Sequence, residues 1–332
     1  MSALVTSDWH LSSNPKDHYR HYWVGTELPL MIRQHKPDWL LVLGDLTHQK
    51  DCHNAELVND VVTYLEKLAR LTQVIIMRGN HDCLNPDRPF FEFVKHIPRI
   101  KWISHPHGTN LETLGDCLFL PHTRNYKKDW EFVDFNLWRK GEGWIFAHNT
   151  FDGADAGSGR RLRGIPLDAF PRRAKVISGD VHVPQVLEQV TYCGAPYTVA
   201  FGDSYRGRVL HILGNGEMLS LKTSGPQKVV IHIDGPSFDI DLNHGDIVQA
   251  RVTLKANDYA RWNEIKAAVR KQIERQNAIA AEIKPIKANK AVKLNLKRSS
   301  SQSDAELLNS YGQRRGVGED YMKTAHWIMG RV

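Results

Sequence analysis

A chain of 332 residues is long enough for one full core and a smaller second unit. Its net charge of +7 tilts it toward a polyanionic partner, while its 4 cysteines, far apart and never in a C-x-x-C pair, argue against a zinc ribbon or a disulfide framework. No apolar run approaches the roughly 20 residues of a membrane helix. The first apolar run reaches Asp8 almost at once and leaves no room for a signal peptide, so a soluble cytoplasmic protein is expected.

Along the first two hundred or so residues one event recurs: a short apolar run, then an abrupt cluster of Asp, His, Asn and Gly. The runs are ALVTSDWH, WLLVLGDLTH, VIIMRGNHD, CLFLPHTRN, WIFAHNTFD and KVISGDVH. Continuous Val, Ile and Leu runs of this length suit strands buried on both faces of a sheet, and open α/β sheets gather their ligands at the carboxyl edge. Between the second and third runs, Leu57, Val58, Val61, Val62, Leu65, Leu68 and Ala69 fall at the spacing of a helix with one buried face. An α/β core is therefore expected over residues 1–225, closing with antiparallel strands around the turn Gly214-Asn215-Gly216.

Past that point the texture changes. VVIHIDG and DIVQARVTLKA read as strands, a helix follows with Trp262, Ile265, Val269 and Ile273 on one stripe, and AEIKPIKA reads as a last strand. This predicts a small α+β cap over 226–298, whose end is a basic tract from Lys284 to Arg298. A C-terminal helical element over 299–332 follows, opened by a capping-box pattern at Ser303 and Glu306. Its apolar residues Leu307, Leu308, Tyr311, Tyr321, Trp327 and Ile328 either dock a partner or pack back on the cap.

The chemistry concentrates at the strand ends. Residues two apart on an extended chain point the same way, so Asp8 with His10 and Asp180 with His182 could each clasp one side of an ion. Asp45, Asn80 and His148 arrive from neighbouring strand ends. Seven ligand-type residues exceed the needs of one ion, and a pair of metals sharing a carboxylate, with Asp45 as the bridge, is the economical arrangement. His122 stands at another strand end, either lining the cleft or idle.

The ordered set D-x-H, G-D, G-N-H-D, H and G-x-x-H resembles the calcineurin-like metallophosphoesterases over roughly the first 205 residues. The resemblance implies a layered α/β core, a β-sandwich flanked by helices, and two divalent metal ions. Asp8, His10, Asp45 and His182 would hold one; Asp45, Asn80, His148 and Asp180 would hold the other. It also implies that His81 faces the substrate phosphate as transition-state stabiliser or general acid, with Asp82 hydrogen-bonded to its far nitrogen. The family has a histidine where this chain has Asp180. An anionic oxygen there favours hard ions, so manganese is expected ahead of magnesium, iron or zinc; the alternative is a damaged second site.

Within that family SDWHL, GDLTH and GDVHVPQ with GAPYTVAFGDSYRGRVLHIL look most like the SbcD-type nuclease subunits of double-strand-break repair complexes, bacterial or phage. This implies a DNA exo- or endonuclease in repair or recombination, partnered by a coiled-coil ATPase of SbcC type. A homodimer is a further expectation. His48 would then position the scissile phosphate or its leaving group, against the plainer reading that it caps its loop. Arg160, Arg161 and Arg163 form a basic glycine-flanked loop, either meeting DNA phosphates or merely solvated. A phosphatase or small-molecule phosphodiesterase is the alternative, and a non-catalytic scaffold the third reading.

Overall fold

A computed structural model describes residues 1–287 apart from 158, 204 and 235–241. The expected helical element over 299–332, and the basic tract beyond Lys287, lie outside the described residues. The strands in chain order are β1 (Ser2–Thr6), β2 (Trp39–Val42), β3 (Gln73–Met77), β4 (Ile100–Ile103), β5 (His107–Leu111), β6 (Gly115–Leu120), β7 (Trp144–His148), β8 (Val176–Gly179), β9 (Gln185–Leu187), β10 (Val190–Tyr192), β11 (Arg208–Leu213), β12 (Met218–Lys222), β13 (Lys228–Asp234), β14 (Ile247–Leu254) and β15 (Ile279–Lys287).

Two six-stranded mixed sheets make the core, ordered β12-β11-β1-β2-β3-β4 and β5-β6-β7-β8-β10-β9. Their central strands run parallel, β1 to β4 in one sheet and β6 to β8 in the other. The continuous apolar runs are explained by burial on both faces. Ala3, Val5, Leu41, Leu43, Ile75 and Met77 face the second sheet's Cys117, Phe119, Phe146 and Ile177, while Leu4, Leu40, Val42, Val74 and Ile76 face the other way, toward helices.

The helix Ala55–Ala69 covers that outer face with buried Leu57, Val61, Leu65, Leu68 and Ala69. Each large side chain so buried contributes roughly 1.5–3 kcal/mol. Asn54 caps the helix, its side-chain oxygen accepting from the Leu57 amide at 2.9 Å. Val58 and Val62, on the predicted stripe, are only half-buried at its margin. With parallel strands side by side, the carboxyl ends of β1, β2, β3, β7 and β8 converge on one edge.

The last strands form a separate parallel sheet ordered β13-β14-β15, with the helix Trp262–Arg275 crossing between β14 and β15. Ile265, Val269 and Ile273 are its buried stripe and Trp262 sits half-buried at the edge. The sheet is pinned to the core by Lys228. Its ammonium reaches Asp17 at 2.7 Å and the Val199 carbonyl at 3.1 Å.

Candidate metal centre

The strand ends bring the seven candidate ligands into two adjoining clusters. In the first, His10 Nε2 lies 3.0 Å from His182 Nε2, 3.5 Å from Asp45 Oδ2 and 3.9 Å from Asp8 Oδ1; His182 Nε2 lies 4.0 Å from the same Asp8 oxygen. In the second, His148 Nε2 lies 3.1 Å from Asn80 Oδ1, 3.4 Å from Asp45 Oδ1 and 3.9 Å from Asp180 Oδ1. The two oxygens of Asp45 thus face different clusters, an orientation that suits a carboxylate bridging two ions.

The donor set fits divalent cations. An ion holding nitrogen or oxygen at about 2.1 Å places neighbouring ligands roughly 3 Å apart and opposite ones about 4 Å apart, the range found here. Asp8 Oδ2 and His10 Nδ1 are buried with no hydrogen-bond partner, and the facing Nε2 atoms of His10 and His182 need a proton or a cation between them.

Charge tells the same story. Burial would push His148 down, but Asp45, Asp8 and Asp180 around it raise it to about 10, so the carboxylates draw positive charge onto this spot. Burial would raise Asp45, and His148, His10 and His81 outweigh that and hold it below the usual carboxylate range. Asp8 is raised by burial, and His10 is pushed well down by burial.

The local sequence supplies the backbone this requires. Asp8, His10, Asp45 and Asp180 all have positive φ, at 57°, 44°, 59° and 76°, a left-handed conformation that Asp and His tolerate better than most side chains. Strain so concentrated marks a site over-determined by its surroundings. Glycines make the close approach possible. A Cβ on Gly79 would sit 2.2 Å from Asp45 Oδ1, and one on Gly179 would sit 2.0 Å from Ser7 Oγ and 2.8 Å from His148 Nδ1.

Asp82 does something other than the expected orientation of His81. It is fully buried, and its carboxylate accepts from the backbone amides of Gly79, Asp45 and Leu46 at 2.6, 2.8 and 3.0 Å. It staples the β2 loop to the β3 loop. Burial and the nearby Asp45 raise it to about 6 against those three bonds. His81 Nδ1 instead donates to the His48 carbonyl at 2.6 Å, which fixes the neutral tautomer with Nε2 as the acceptor nitrogen. The His48 and His81 rings stack at 5.6 Å, and His48 is pushed down by partial burial.

Asp180 turns one oxygen toward the second cluster while its other oxygen accepts from Thr150 Oγ1 at 2.5 Å. The sequence contained a signal for Thr150, since it stands two residues after His148 and so on the same side of an extended chain. Arg20, also missed, donates to the His10 carbonyl at 2.6 Å and pairs with Asp17 at 3.1 Å, tying the first cluster to the Lys228 anchor. Arg160, Arg161 and Arg163 are exposed on a loop that does not join the clusters; Arg161 donates to the Gly153 carbonyl at 2.9 Å. His122 lies near the second cluster, its ring 6.4 Å from that of His148, and is lowered to about 4 by burial and by His148.

Two sandwiched mixed sheets with a histidine and carboxylate cleft at their strand ends define a metal-dependent phosphoester hydrolase. The chain belongs to the calcineurin-like phosphoesterase family, whose model matches residues 1–184. Two curated relatives, the SbcD subunits of the SbcCD nuclease from Escherichia coli strain K12 and from Escherichia coli O157:H7, are each 24% identical over 273 residues, covering 67% of this chain and 67% of the relative. A solved structure of YfcE, a phosphoesterase from E. coli, matches 68% of this chain and 100% of its own at 17% identity, with a TM-score of 0.32, too slight a likeness to bear on the site. No helix among the described residues is long and apolar enough to cross a membrane.

Proposed function

We propose that the protein is a manganese-preferring DNA nuclease, exo- or endonucleolytic, working in the cytoplasm with a coiled-coil ATPase subunit. Support for the hydrolytic centre comes from the two ligand clusters sharing Asp45. Support for DNA and the ATPase comes from the likeness to the SbcCD nuclease subunit and from the basic balance of the chain. A homodimer, the tripartite division at 225 and 298, and partner docking through the terminal helices complete the reading.

Two divalent cations, when bound, polarise the phosphoryl oxygens and make water acidic enough to attack at neutral pH. Asp8, His10, Asp45 and His182 would hold the first of them, and Asp45, Asn80, His148 and Asp180 the second. His81, held through Nδ1 by the His48 carbonyl, offers Nε2 to the substrate, and in its imidazolium form, with a proton on each nitrogen, it gives the Nε2 proton to the departing alkoxide and is left neutral. Asp82 keeps the β2 and β3 loops in register so that Asp45 and His81 stay aligned. Asp180 gives one oxygen because Thr150 occupies the other, and this hard, anionic donor favours manganese over zinc.

Hydrolysis of labelled linear DNA is compared with hydrolysis of bis-p-nitrophenyl phosphate and p-nitrophenyl phosphate, with manganese, magnesium or zinc. The expected result is manganese-dependent DNA cleavage, reduced roughly 100- to 10,000-fold in His81→Ala. Turnover of the monoester while DNA stays whole would make the protein a phosphatase. Activity appearing only in Asp180→His would mean the second cluster is damaged and the native chain a scaffold.

A further inference from the structure

A cavity opens beside the second cluster, with Asn80 in its lining. Its volume is about 270 Å3, and Asn80, His122, Arg124, Asn125, Lys128 and Asp129 are among its lining residues. Small-molecule pockets start at roughly 300 Å3, so this one suits a single unit of a polymer better than a whole cofactor. The loop that forms it is held in place. Buried Arg78 donates to the His122 carbonyl at 2.9 Å, the His122 amide donates to the Arg78 carbonyl at 3.1 Å, and the Thr123 amide donates to Asn149 Oδ1 at 3.1 Å.

Arg124 and Lys128 stand exposed on that loop with no ion-pair partner among the described residues. Asp129, the acid in the cavity, is engaged by the Thr123 hydroxyl. Close by in sequence Phe132 is 93% exposed in a run that also carries Lys127, Arg139 and Lys140.

We propose that this cavity is a subsite for the phosphodiester adjoining the scissile one, with Arg124 and Lys128 contacting its oxygens and His122 walling it off from the second cluster. The inference rests on the nuclease reading and goes further by naming what distinguishes a polynucleotide from a lone phosphodiester. A phosphate seated at the Asp45-centred clusters has a neighbour along the strand, and the cavity next to Asn80 offers that neighbour two unpaired cations on a preorganised loop. The contact is blind to sugar, so DNA and RNA strands would share it.

The test uses the full-length protein, with Arg124→Gln/Lys128→Gln compared with wild type on three substrates: bis-p-nitrophenyl phosphate, a linear deoxyoligonucleotide and the matching oligoribonucleotide. Removing two phosphate contacts should raise KM for whichever oligonucleotide is cleaved about tenfold or more. It should also flatten the dependence of log KM on log salt by about 1, since one neutralised phosphate contributes roughly 0.7 to 0.9. Hydrolysis of the small diester, which has no adjoining phosphate, should be unchanged. Arg124→Lys/Lys128→Arg should keep the wild-type KM.

An unchanged oligonucleotide KM and salt slope would overturn the subsite while leaving the nuclease reading intact. Equal losses on the small diester and the oligonucleotides would also overturn it, by showing a role in the centre as a whole. If wild type cleaves the diester but neither oligonucleotide, the nuclease reading falls and takes the subsite with it.

Discussion

The two halves of the metal cleft are built on different principles. In the half around Asn80, His148 and Asp180, side chains are already held by the protein: His148 Nδ1 donates to the Leu43 carbonyl at 2.5 Å and Thr150 holds Asp180. In the half around Asp8, His10 and His182 the side chains have fewer partners: Asp8 Oδ1 accepts from the Asp180 amide at 3.3 Å. Asp8 Oδ2 and His10 Nδ1 are buried without hydrogen bonds, and His182 keeps 30% of its side chain exposed. Bonds within the protein thus orient the side chains of the second half more fully than those of the first. Outer-shell bonds of this kind orient ligands before an ion binds.

The contrast is broken most severely at the residue the halves share. Asp45→Asn should abolish occupancy of both clusters together and cost at least roughly 1,000-fold in phosphodiester hydrolysis, several kcal/mol of transition-state stabilisation. Calorimetric titration with manganese would reveal it, and survival of either cluster alone would contradict the bridging role. Next is Asp82→Ala, which leaves three buried backbone amides unsatisfied. A loss of about 3 kcal/mol or more in denaturant unfolding is expected, since each stranded donor costs roughly 1–3 kcal/mol.

A subtler change separates the halves. Thr150→Val frees Asp180 while touching nothing in the first cluster, so metal affinity should fall roughly 10- to 100-fold at one step of the titration and not at the other. Equal weakening of both steps would mean that the two halves are not independently built.

The smallest effect sets the cleft against the sheet that carries it. His211 on β11 is lowered below its ordinary 6.5 by burial and by His35, whose ring lies 5.1 Å away. A depressed histidine takes its proton more readily in the unfolded chain, so its share of stability is present above 6.5 and is lost as pH falls through its folded pKa. His211→Gln should flatten the decline in Tm between pH 6.5 and 5 slightly, without altering metal affinity at pH 7.5. A wild-type slope in the variant would remove His211 from the account.

Legibility followed from what a linear pattern can encode. Strands buried on both faces leave continuous apolar runs, and parallel strands deliver their polar ends to one edge, so the α/β core and the seven candidate ligands could be read directly from the chain. The cap helix was equally plain because Ile265, Val269 and Ile273 repeat at helical spacing. Asp82 shows the limit. The family resemblance implied that it pairs with His81, yet the carboxylate binds amides 36 and 37 residues away.

The sequence by itself determined which chemical groups gather at the sheet edge, since ligand type and strand alternation are local properties. Only the tertiary structure decided how those groups are held: the split of Asp45 between two clusters, Thr150 on Asp180, the His48 carbonyl on His81, and Arg20 with Asp17 and Lys228 behind His10. Each of these ties together groups from different loops or strands. Such pairings depend on where separate segments meet in space, and no periodicity along the chain records that.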